Sequence, residues 1–97
     1  MKKFETINEV RELIDSIDHK ILNLIAERKN LVIEAVKLKS KDQIIDSERI
    51  EKIIQKLSKQ AVEKKLPDGL VEKLWNTMIQ EFIDYETRIY DDIHKKT

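Results

Sequence analysis

The chain has 97 residues, 40% of them hydrophobic and 39% charged, with one Gly, one Pro and no Cys. That length allows one domain spanning 1–97, and so little turn chemistry favours long amphipathic helices over hairpins. Nineteen basic residues balance nineteen acidic ones. No overall field therefore attracts nucleic acid or an anionic membrane, and no disulfide framework or closed zinc site is available.

The N-terminus, MKKFETINEV, carries no apolar run of signal-peptide length. No stretch reaches the roughly 20 apolar residues of a membrane span. A cytoplasmic location is the expectation.

From about Thr6 to Ser40 the apolar positions run Val10, Ile14, Ile17, Ile21, Leu24, Leu31, Ala35 and Leu38, a 3–4 alternation that predicts one long helix. At ~1.5 Å per residue this is a rod of about 50 Å, longer than a small domain can cover. Lys41 to Asp46 breaks the period and reads as a connection, with Asp46 or Ser47 placed to cap a second helix. That short helix carries Ile50, Ile53, Ile54, Leu57 and Ala61 and ends near Lys65. Leu66-Pro67-Asp68-Gly69 forms a turn before a third helix of medium length, whose stripe is Leu74, Trp75, Met78, Ile79, Phe82, Ile89 and Ile93. It fades into a charged tail beginning at His94.

The fold class is all-α, with three helices per chain. Two shorter helices do not cover the whole first one, so a second copy is expected to complete an intertwined homodimeric bundle. A plain coiled coil or helical hairpin without activity satisfies the periodicity equally well.

Charges on the apolar stripes distinguish these readings. Arg28 stands where the Leu24–Leu31 seam expects an apolar side chain, and Lys39, eleven residues on, faces the same way. Glu86 interrupts the third stripe between Phe82 and Ile89. A salt bridge from Glu86 to Arg28 or Lys39 is the plain structural explanation, and an anionic ligand is the sharper one. Asp46, Glu48 and Arg49, at the entrance to the second helix, read from pattern alone more as capping and dipole charges than as site residues. His19 reads as a solvated surface residue, and Trp75 and Met78 as core.

The stretch VRELIDSID at 10–18, followed by LIAERK at 24–29, resembles the first helix of the AroQ-type chorismate mutases, a family that includes the isochorismate–pyruvate lyases. Arg11, Asp18, Arg28 and Lys39 match its spacing, and Asp46-Ser47-Glu48-Arg49 resembles its following "D..R" element. The resemblance covers nearly the whole chain. It implies a homodimer whose pockets take Arg28, Lys39, Arg49 and a polar residue of the third helix from one subunit and Arg11 from the other. Arg28 and Arg11 would bind the two carboxylates of the substrate, and Arg49 would add positive potential. Lys39 would face the breaking ether oxygen, and Asp46 would contact the substrate hydroxyl. Ile50 and Phe82 are counted with the substrate-binding positions.

The implied reaction is a pericyclic Claisen rearrangement of chorismate to prephenate, which requires no nucleophile, general base, metal or cofactor. Two positions depart from the family's common pattern. Ile50 stands where mutases commonly carry Glu, and lyases forming salicylate and pyruvate tend to be apolar there, so the lyase is the alternative. Glu86 stands where Gln often donates a hydrogen bond to the ether oxygen. A carboxylate donates only when protonated, which implies better activity in acid. A dimeric regulatory module that has lost catalysis is a further alternative.

Overall fold

The computed structural model describes residues 3–95, and among them every regular element is helical. Helix α1 spans Ile7–Leu38, α2 Ser47–Glu63 and α3 Leu70–His94, with a single 3-10 turn at Lys41–Gln43. The chain divides into two units, residues 1–31 and 32–97.

The first unit carries the N-terminal arm of α1. Its start is fixed by Thr6, whose Oγ1 accepts a hydrogen bond from the Glu9 N–H at 3.2 Å, while the Glu9 carboxylate accepts from the Glu5 N–H at 3.0 Å. The first bond satisfies an amide that a helix leaves open at its N-terminus, and the second ties the preceding residue to the first turn. Along the arm, Ile14, Ile17, Ile21, Leu24 and Leu31 are each at least 48% exposed. The predicted stripe is therefore a continuous apolar face open to solvent in the single chain, the signature of an interaction surface. Among residues 11–31 only Arg28 is better than exposed, being half-buried.

The second unit holds the last turns of α1, the 3-10 turn, α2 and α3. Its core gathers Ile44, Ile79 and Ile83, with Ile50, Ile53, Ile54, Trp75 and Tyr90 packed around them. Each buried Ile contributes roughly 1.5–3 kcal/mol through the surface it removes from water. Ser58 of α2 donates to Glu72 of α3 at 2.6 Å, tying the two helices together beside this core.

The connection between α2 and α3 follows from its sequence. Leu66 N–H donates to Ala61 O and Lys65 N–H to Val62 O, at 3.0 and 3.1 Å. This is a Schellman end, with Lys65 in the left-handed region at φ 58° where Gly is the usual choice. Pro67 then prevents the helix from resuming, and Gly69 takes φ 78° immediately before α3.

Three expectations need correction. The first two helices end at Leu38 and Glu63, each two residues earlier than the period suggests. Leu74 is 52% exposed, whereas Val71, Ile83 and Glu86 are buried. The inward face of α3 is centred near Trp75 and Ile93, and Leu74 lies about 100° from that centre at 100° per residue. His94 is not part of a tail: it ends α3, and its Nε2 lies 2.7 Å from the Val36 carbonyl oxygen.

Candidate active site

Lys39 stands just beyond the end of α1. Its N–H still bonds the Ala35 carbonyl at 3.0 Å, but the next amide, Ser40 N–H, is taken by the Gln43 side-chain oxygen at 2.8 Å. Ser40 is accordingly extended, at φ −81° and ψ 162°. The helix thus stops in a way that leaves the Lys39 side chain facing α3.

Glu86 lies in the middle of the inward face of α3 and is 6% exposed. Its Oε1 accepts from Lys39 Nζ at 3.0 Å. A carboxylate this deeply placed costs several kcal/mol unless it is paired, so Lys39 supplies the compensation that the buried charge requires. Lys39, one of the two partners that the sequence offered for Glu86, stands against it in the structure. The Lys39 side chain keeps 30% of its surface exposed, and an ammonium has three N–H donors, of which Glu86 uses one.

Lys39 also lines an open cleft of about 360 Å³ with Asp42, Gln43, Ile45, Asp46 and Ser47. Asp46 is the N-cap of α2, its Oδ1 accepting from the Arg49 N–H at 3.0 Å. The capping explanation for Asp46 therefore holds, and it leaves Oδ2 available. Glu48 pairs with Lys52 at 3.4 Å within α2, as an exposed helix charge does. Arg49 is exposed at the start of α2, and Ile50 beside it is half-buried against the isoleucine core.

Phe82 sits one turn before Glu86 on α3, half-buried, with its ring edge-on to Tyr85 at a centroid distance of 6.5 Å. The unit 32–97 thus places Lys39 against Glu86, and Lys39 and Asp46 on one cleft. Arg11 and Arg28 belong to the other unit, the first exposed and the second half-buried. Among the described residues no group of three or more His, Asp or Glu could hold a metal ion. No helix among them is long and apolar enough to cross a membrane.

Sequence reasoning missed Tyr90 and His94. The Tyr90 hydroxyl donates to the Lys39 carbonyl at 3.3 Å, and the two rings stack with centroids 4.1 Å apart. Their spacing of four and eight residues from Glu86 was the available signal, because it puts all three on one face of α3.

A cation held against a buried carboxylate beside an open cleft is suited to binding an anionic molecule and stabilising charge that develops on its oxygen. Comparison with known proteins agrees with that chemistry. The family described as chorismate mutase type II matches residues 10–87. A chorismate mutase of Methanocaldococcus jannaschii is 33% identical over 78 residues, covering 78% of this chain and 79% of its own length. A bifunctional chorismate mutase/prephenate dehydratase of Buchnera aphidicola is 33% identical over 81 residues, or 81% of this chain, which spans only 21% of that longer protein. No solved structure gives a significant match. The chain belongs to the type II chorismate mutase family.

Proposed function

We propose that residues 1–97 act as one functional domain, a cytoplasmic homodimeric chorismate mutase converting chorismate to prephenate. The observation that carries this reading is the pairing of Lys39 with the buried Glu86, inside the stretch matched to the family. The exposed apolar face of the α1 arm supports the homodimer, since a second copy of the same arm would remove it from water.

The roles follow from charge and donor geometry. Arg28, and Arg11 of a second copy, bind the two carboxylates of chorismate through their planar forks. The enolpyruvyl arm is thereby held over the ring in its reactive conformer, which removes much of the entropic barrier. As the C–O bond breaks and the new C–C bond forms, negative charge grows on the ether oxygen. Lys39 meets that charge with one of its free N–H donors, and Glu86 adds a second donor when protonated. Even a ~10⁶-fold acceleration requires about 8 kcal/mol, which conformer binding and one fixed ammonium share. Arg49 contributes positive potential, Asp46 accepts from a substrate hydroxyl, and Ile50 and Phe82 provide apolar wall.

One observation favours a second reading. Ile50 is packed against the core and presents no polar atom to a ring hydroxyl, so a lyase acting on isochorismate remains the alternative. Product analysis after separate incubation with chorismate and isochorismate decides. Prephenate as the dominant product supports the mutase, salicylate with pyruvate from isochorismate supports the lyase, and silence on both overturns either catalytic reading.

A further inference from the structure

The last carbonyls of a helix have no partner within it and must find one elsewhere. At the end of α1 two of them are met from the same face of α3. Val36 O accepts only a long 3.4 Å bond from Lys39 N–H, and His94 Nε2 approaches it to 2.7 Å. A carbonyl oxygen can only accept, so Nε2 carries the proton and donates. Four residues earlier, the Tyr90 hydroxyl donates to the carbonyl of Lys39 itself at 3.3 Å. Four residues earlier again, Glu86 takes the Lys39 ammonium. Glu86, Tyr90 and His94 are thus one row on α3, holding the side chain of Lys39, its own carbonyl, and the carbonyl of Val36 about one helical turn behind.

The row is anchored from the core outward. Tyr90 packs on the Ile44–Ile79–Ile83 cluster, and its ring stacks on His94 at an interplanar angle of 20°, which fixes the imidazole plane. Val36, whose carbonyl His94 caps, is fully buried. Both aromatic residues lie beyond the stretch 10–87 matched to the family.

We propose that Tyr90 and His94 are positioning residues for Lys39, clamping the end of α1 so that the ammonium meets Glu86 and the reacting oxygen in one fixed geometry. This rests on the mutase reading given above. Stabilisation of developing charge depends on a donor already in place, and a displacement near 1 Å can cost ~100-fold in rate.

Three variants test it. Tyr90→Phe keeps the ring and its stacking but loses the hydroxyl, His94→Leu removes the donor, and His94→Gln returns an amide N–H near the place of Nε2. The expected result is a kcat lowered roughly 5- to 30-fold in the first two, KM within about twofold of wild type, and recovery of most of the loss in His94→Gln. The ¹⁵N signal of the Lys39 ammonium should be sharp in wild type and His94→Gln and broadened in the other two. Unchanged kcat together with an unchanged ammonium signal would overturn the proposal, as would a lowered melting temperature with no change in either. The ammonium signal does not depend on turnover. Should the wild-type chain prove inactive on chorismate, the mutase reading fails by itself, and the four spectra still decide whether Tyr90 and His94 position Lys39.

Discussion

Lys39 Nζ stands 3.0 Å from Glu86 Oε1, across the gap between the end of α1 and the buried face of α3. The pair has an asymmetry that matters for chemistry: the carboxylate side chain is 7% exposed and the ammonium side chain 30%. The acid is confined, and the cation is partly open to solvent, with two N–H donors that Glu86 does not use. In the free protein Glu86 accepts from Lys39; to donate to the ether oxygen it must first take up a proton.

That requirement is tested by Glu86→Gln, whose amide donates without first taking up a proton. The value of kcat/KM for chorismate should then be at least that of wild type. A lowered kcat/KM in Glu86→Gln, with the helical signal preserved, would remove Glu86 from the proposed donor role.

Asp46 has a structural task that can be separated from a substrate contact. Asp46→Ala loses the cap on α2, at a cost of about 1 kcal/mol, which in a chain this size lowers the melting temperature by roughly 4–8 °C. Asp46→Asn preserves a cap. Stability near wild type with lowered turnover in Asp46→Asn would show that the carboxylate also serves the substrate, whereas parallel loss or retention of both properties would assign it to capping alone.

Much of this architecture is legible in the sequence because helical periodicity and turn chemistry are local. The α2–α3 turn is announced by Pro67 and Gly69, and Glu86 stands out as a charge among apolar positions. Which flanking positions of α3 face inward is less legible. Leu74 and Ile83 both fit a loose 3–4 stripe, and only packing against Ile44 and α2 selects Ile83. Tyr90 and His94 are harder still, because their partners are backbone carbonyls. An aromatic residue four positions after Glu86 looks like core, and a histidine followed by lysines looks solvated. No side-chain pattern marks a carbonyl waiting to be capped.

The proposed homodimer, if its sites are shared, predicts complementation. Arg28→Ala and Arg11→Ala should each lower kcat/KM at least ~100-fold while leaving the chain helical, since each removes charged hydrogen bonds to a carboxylate. Unfolding and refolding the two variants together should then restore about one quarter of wild-type activity: half the dimers would be mixed, each with one intact pocket. If the mixture stays as inactive as its components, Arg11 does not act across subunits.

The role proposed for the Lys39 cation is to stabilise the charge developing in the rearrangement. Its most direct test is the rate of prephenate formation by wild type and Lys39→Gln, with helicity followed by circular dichroism. The glutamine amide can still donate to Glu86, so the buried carboxylate is not abandoned when the cation is removed. A loss of ~10²–10³-fold in kcat with the helical signal preserved is the expected result. Prephenate formed at the wild-type rate by Lys39→Gln would contradict it.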